Sequence, residues 1–114
     1  MTSKMKKIYL AAPYGHKDPK VREQRVEAVN KKAAELMMDG HLVFSPLSHS
    51  HPISKHCTVD PCDNNFWLRQ DLWVLEICDV MQILCLDGWK ESDGIDTEWR
   101  KASTLNIPIE LIYE

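Results

Sequence analysis

The chain has 114 residues, 44% of them hydrophobic and 27% charged, with a net charge of −3. These values describe one small globular domain spanning residues 1–114, with little room for a second. They exclude a nucleic-acid coat and a membrane-surface binder, though not a local anion pocket.

The start, Met1-Thr2-Ser3-Lys4-Met5-Lys6-Lys7, is basic. The apolar run after it is broken too soon by Pro13 to make a signal peptide. No run is long enough for a membrane span, so a cytoplasmic protein is expected. Ile8-Tyr9-Leu10-Ala11-Ala12 forms the first, buried strand. Asp18-Pro19 opens a helix, with Asp as N-cap and Pro at the first helical position. Val26, Val29, Ala33 and Leu36 recur at helical spacing, and Gly40 supplies the left-handed residue that ends the helix. His41-Leu42-Val43-Phe44 is the second strand, stopped by Ser45-Pro46. Residues 45 to 63 are expected as one long loop, with three prolines and three histidines, which in so small a domain is functional or mobile. Asp63 caps a second helix over about 64–77. Val80 to Leu86 is the third strand. The glycine-bearing loop from Asp87 to Gly94 leads into a third helix that runs to about Leu105. Ile107 to Tyr113 is the last strand.

Strands alternating with helices imply an α/β fold: a parallel sheet of about four strands, with right-handed crossovers and helices on both faces. The expected strand order is 2-1-3-4. That order reverses between strands 1 and 3, so the loops leaving them splay apart and open a crevice at the carboxyl edge of the sheet. Those loops are Ala12-Pro13-Tyr14-Gly15 and Asp87 to Gly94.

Two carboxylates stand where apolar residues belong. The core stripe of the second helix reads Leu68, Asp71, Leu72, Leu75; that of the third reads Ile95, Glu98, Trp99, Ala102, Leu105. Burying an unpaired carboxylate costs several kcal/mol in order of magnitude, so each needs a partner or a task. Glu98 has a structural alternative in the helix macrodipole, and Asp71 has one in pairing with Arg69 or Lys101. Two such residues beside one switch point favour function. Ser92-Asp93-Gly94 opens the third helix and has two readings, an anion site of backbone N–H groups or an ordinary N-cap.

Cys78 and Cys85 fit the core. Cys57 and Cys62 share the long loop with His49, His51 and His56. Their spacing matches no standard zinc site, so no metal is assigned, although a zinc-binding protein built on residues 49–62 stays open as an alternative.

Tyr9 within Ile-Tyr-Leu-Ala-Ala-Pro, the run Arg69-Gln70-Asp71-Leu72, and Ser92-x-Gly94-x-x-x-Glu98 together resemble the nucleoside 2-deoxyribosyltransferase family. The last pattern is close to that of the branch hydrolysing deoxynucleoside 5′-monophosphates. The Ser45 to Pro52 segment is similar to that of short bacterial and phage members. The likeness runs from Lys7 to Tyr113. It implies a flavodoxin-like three-layer sandwich and cleavage of an N-glycosidic bond, without a cofactor. Glu98 matches the nucleophile at C1′ of the deoxyribose, and Asp71 the carboxylate that positions substrate or handles the base's proton. Tyr9 matches the tyrosine that orients the nucleophile, and Ser92 and Gly94 the contacts to the 5′ group. A small-molecule nucleoside or nucleotide is the implied partner, and a homodimer or larger assembly the implied state.

Further residues are assigned to the pocket by position. Pro13 and Tyr14 belong to the first loop. His49 or His51 contacts the base or donates its proton, or else the histidines hold their loop together. Trp89 stacks on a base or seals the pocket. The chain departs from the family pattern at Trp99, which follows the nucleophile, and at Pro13-Tyr14-Gly15-His16, which lacks the serine- and arginine-bearing phosphate loop. Lys17, Lys20, Arg22 or Arg25 can replace that loop, or else serve as surface charge. Both departures motivate a second alternative, a non-catalytic nucleotide-binding sensor.

Overall fold

The computed structural model describes residues 4–113; the first three residues of the basic start, and Glu114, lie outside them. Four strands, β1 (Lys7–Ala11), β2 (Leu42–Phe44), β3 (Val80–Leu84) and β4 (Ile109–Ile112), form one sheet in the order β2-β1-β3-β4. Every pairing is parallel, with Tyr9 opposite Phe44 on one side and Met81 on the other. Around the sheet lie α1 (Pro19–Met38), α2 (Pro46–Ser54), α3 (Asn64–Asp71) and α4 (Asp93–Thr104).

Strand alternation divides the core in two. Ile8, Leu10, Val80 and Leu84 point to one face and pack on Val29 and Ala33 of α1. Tyr9, Ala11, Met81 and Ile83 point to the other and pack on Ile95 and Ala102 of α4 and on Val74 and Leu75. A central parallel strand must be apolar on both faces, and β1 buries its last four residues.

Local signals set the helix ends. Asp18 accepts from the Lys20 N–H at 2.9 Å, and Pro19 follows at the first position. At the other end of α1, Gly40 has φ +97°, His41 N–H donates to the Leu36 carbonyl and Gly40 N–H to that of Met37. This pair of bonds is a Schellman closure. Asn106 (φ +59°) closes α4 in the same way, with Ile107 N–H donating to the Ala102 carbonyl.

Two expectations need correction. Residues 45–63 are not one loop, because Pro46–Ser54 is the helix α2. Ser45 caps it by accepting from the Ser48 N–H, with Pro46 at the first position. This is the same start signal as Asp18-Pro19, obscured by Pro52 inside the helix. Nor is 64–77 one α-helix. Asp71 ends α3, and Leu72–Ile77 tightens into a 3-10 helix. At three residues per turn Leu72, Leu75 and Cys78 line up, and all three pack on the same core cluster.

Candidate active site

The sheet order puts α2 beyond β1 on the β2 side and the start of α4 on the β3 side. Between them, at the carboxyl edge, lies a cleft of about 430 Å³. Arg25 of α1 spans its mouth, donating to the carbonyls of Gly15 (3.1 Å) and Asp87 (2.8 Å). It thereby ties the loop after β1 to the loop after β3. Glycine suits position 88: its φ is +89°, and a Cβ would sit 2.8 Å from Arg25 Nη2.

Glu98 lies on the second turn of α4, facing the sheet, and is 5% exposed. Its Oε2 accepts a 2.6 Å hydrogen bond from the Tyr9 hydroxyl of β1. Burial pushes its carboxyl up to about 8; the Tyr9 bond pulls it down, and the negative charge of Asp71 pushes it up. Burial, followed by the charge of Glu98, drives the Tyr9 phenol upward, so Tyr9 stays a proton-bearing donor.

Asp71 is 3% exposed, at the last turn of α3. Its Oδ2 accepts from Ser50 Oγ at 2.7 Å, and its Oδ1 lies 3.2 Å from His49 Nδ1. Burial raises its carboxyl, while Ser50 and His49 offset this. Neither Arg69 nor Lys101 is its partner. Lys101 pairs instead with Glu76 at 3.7 Å.

The cleft is lined by Asp71 and Glu98 and, of the other residues singled out from the sequence, by Pro13, Tyr14, His51, Ser92 and Gly94. Ser92 caps α4 by accepting from the Ile95 N–H at 3.2 Å. A Cβ at Gly94 would come into ordinary contact with Asn64 Oδ1 at 3.6 Å and Ser92 Oγ at 3.8 Å, so the bare glycine leaves that much more room in the cleft. Tyr9 reaches the site through its hydroxyl on Glu98. His49 acts on Asp71 while half of its side chain stays exposed.

Trp89 does not line the cleft. It is half-buried against the core cluster that contains Tyr9 and Met81, because the turn at Gly88 folds it back onto the sheet. Trp99, expected in the core stripe of α4, is 39% exposed. It sits one residue past Glu98, about 100° further round the helix, and so leaves the cleft volume untouched.

Among the described residues, no group of three His, Cys, Asp or Glu side chains comes together to hold a metal ion. Cys57 Sγ contacts the Ile53 carbonyl and Cys62 Sγ that of His16. The zinc alternative therefore has no ligand cluster.

Sequence reasoning missed Ser50, Ser54, Asn64 and Trp67, yet all four line the cleft. The Ser-Pro start of α2 could have found the two serines. Arg25, one of four cations expected to replace the phosphate loop or to serve as surface charge, instead ties two loops together.

A family model described as "Domain of unknown function (DUF1937)" matches residues 6–114. No curated protein matches the sequence. Among solved structures, a 2-deoxyribosyltransferase from the psychrotolerant bacterium Bacillus psychrosaccharolyticus is similar, with a TM-score of 0.66 and 24% identity over 94% of this chain and 72% of that one. At that identity the likeness establishes the fold.

Proposed function

The chain belongs to the DUF1937 family, and we propose that it cleaves the N-glycosidic bond of 2′-deoxyribonucleosides or their 5′-monophosphates, or transfers the deoxyribosyl group. The observation that carries this reading is the buried Glu98, held at 2.6 Å by Tyr9 and opening into the cleft. Glycosidic cleavage develops positive charge at the anomeric carbon, and a carboxylate there can stabilise that charge or bond to C1′. A covalent intermediate divides one difficult displacement into two easier ones. Glu98 is the proposed nucleophile, Tyr9 its orienting donor and Asp71 the carboxylate that positions the substrate. Ser92 and Gly94 are proposed to meet the 5′ end of the sugar, a reading supported by their place in the cleft lining and by the missing side chain at Gly94. The fold shared with a 2-deoxyribosyltransferase supports the same reading.

Charge favours the unphosphorylated substrate. Asp71, Glu91 and Asp93 line the cleft beside Glu98, against one guanidinium, Arg25, whose donors already hold two carbonyls. A phosphate would meet repulsion at the opening of α4. We further propose that residues 6–114 act as one such domain, and that a second copy assembles with it through the side carrying the exposed Trp73 and Ile77. No helix among the described residues is long and apolar enough to cross a membrane.

The sensor alternative loses one of its two motives, because Trp99 leaves the cleft free. The test is free-base release from a panel of nucleosides and 5′-monophosphates. Release by the wild type that disappears in Glu98→Ala supports the reading. No release from any substrate, or unchanged release in the variant, overturns it, and ligand-induced thermal stabilisation without product would favour the sensor.

A further inference from the structure

A nucleophile alone does not complete this reaction. The base leaves with the bonding electron pair, and an unprotonated base is a poor leaving group. Attack at C1′ and departure of the base occur on opposite sides of that carbon. The proton donor therefore belongs on the wall across the cleft from Glu98, which the sheet order assigns to the loop after β1 and to α2.

That wall carries a hydrogen-bonded chain of three side chains. The Tyr14 hydroxyl lies 2.8 Å from His51 Nδ1, and His51 Nε2 lies 2.9 Å from Glu23 Oε1. Tyr14 and His51 line the cleft, whereas the Glu23 side chain is exposed on α1. The His51 side chain is only 10% exposed, and the Tyr14 ring meets its ring edge-on at 5.5 Å. Arg22 and Cys62 face Tyr14, and Lys55 Nζ lies 3.5 Å from Glu23. His51 holds the Glu23 carboxyl below its ordinary range, so Glu23 is an ionised acceptor at neutral pH.

We infer that Tyr14, His51 and Glu23 form a proton relay that protonates the leaving base, an inference that rests on the N-glycosidic cleavage proposed above. In the reactive form both ring nitrogens of His51 carry protons. Nε2–H donates to Glu23 and Nδ1–H donates to the Tyr14 oxygen, which leaves the Tyr14 O–H free to point into the cleft. A Glu98 oxygen bonds to C1′ as the C1′–N bond breaks. The bonding pair stays with the base, a ring nitrogen of which takes the Tyr14 proton. Tyr14 recovers a proton from Nδ1, and His51 is left neutral with its Nε2–H still on Glu23. Water, or the N–H of an incoming base, then attacks C1′ and the ester bond to Glu98 breaks. The proton it loses returns through Tyr14 to Nδ1. The sum is nucleoside plus water giving base plus deoxyribose, or an exchange of bases, with the protein unchanged. Tyr14 is the catalytic residue of the three; His51 supplies its proton, and Glu23 is a positioning residue.

The test compares two leaving groups: the best-cleaved 2′-deoxyribonucleoside of the panel, and p-nitrophenyl 2-deoxyribofuranoside, whose phenolate departs without a proton. Tyr14→Phe and His51→Asn are expected to slow base release about 100- to 1,000-fold while nitrophenol release falls less than about threefold. Glu23→Gln, at an exposed position that does not threaten folding, is expected to slow base release about tenfold and nitrophenol release hardly at all. Equal losses on both substrates would reduce the chain to a brace and overturn the relay. Base release by Tyr14→Phe at the wild-type rate would overturn it as well. A wild type that releases neither leaving group refutes the proposed cleavage itself, and the relay with it.

Discussion

Glu98 and Asp71 are buried almost equally, at 5% and 3% exposure, and burial pushes both carboxyls upward. They differ in their donors. Asp71 stands between Ser50 and His49, both of which favour its ionised form. Glu98 has the Tyr9 hydroxyl alone, and its other charged neighbour is Asp71 itself, which opposes ionisation. Glu98 also sits deeper in the protein, so burial penalises its charge more, and its single donor offsets less of that penalty. Two carboxylates pushed to different proton affinities within one cleft suit different tasks. Glu98 is poised to gain charge when a positive centre arrives, whereas Asp71 is already held as an acceptor.

The largest effect should come from removing the poised group. Glu98→Gln keeps the shape and the Tyr9 contact, and base release should fall by about four orders of magnitude or more, as when other nucleophiles are removed. The same variant should change the pH dependence of stability. The unfolded carboxyl ionises near 4.5 and the folded one at about 8. Between those values the folded chain keeps a proton that the unfolded chain has lost. The contribution of Glu98 to stability is therefore most favourable below 4.5, falls through this window and is least favourable above about 8, a loss on the order of a few kcal/mol. Denaturant unfolding across the window should show a steeper decline in the wild type than in Glu98→Gln, where only other groups such as Asp71 still contribute. Parallel curves would mean that Glu98 is ionised throughout.

Asp71→Asn should cost about 100-fold in base release, the scale of a misplaced substrate. Ser50 loses a charged acceptor there, so His49 and Ser50 are free to shift. A loss as large as that of Glu98→Gln would instead assign Asp71 a role in the chemistry. Tyr9→Phe should cost about tenfold near neutral pH, in line with one hydrogen bond to a charged group. It removes the interaction that lowers the Glu98 carboxyl, so the rising limb of kcat/KM against pH, set by ionisation of Glu98 in the free protein, should move upward from about 8. An unmoved limb would mean that another group sets it.

The architecture was legible because parallel α/β order follows from patterns spread over many residues: the alternation of elements, the Asp18-Pro19 start and the Gly40 stop. Glu98 and Asp71 were legible because a carboxylate on an apolar stripe is a local contradiction. The α2 wall was not. Pro52 masked a helix whose start signal was intact, and without that helix Ser50 had no face to share with Asp71. Trp99 and Trp89 were misplaced for a different reason. Helical spacing locates a stripe only to within about one residue, and the sense of a loop turn depends on a single positive φ at Gly88. The Arg25 brace joins residues 10 and 62 positions apart, a separation at which pattern carries no information.

That brace offers the gentlest way to separate scaffold from chemistry. Gly88→Ala places a Cβ at φ +89°, costing about 1–2 kcal/mol in backbone strain, and drives it against Arg25 Nη2 at 2.8 Å. The obstructing atom is the far end of a flexible side chain, so the guanidinium can swing aside at the expense of its bond to the Asp87 carbonyl. Two effects should follow. Stability should drop by about the strain alone, and base release should fall a few-fold as the two loops part, chiefly through KM if the brace acts only on the width of the cleft. Arg25→Ala removes the brace without the strain, so it should reproduce the KM change while leaving most of the stability intact. If Arg25→Ala instead lowers kcat with KM unchanged, the guanidinium acts on the transition state, and the mouth of the cleft belongs to the chemistry along with Glu98.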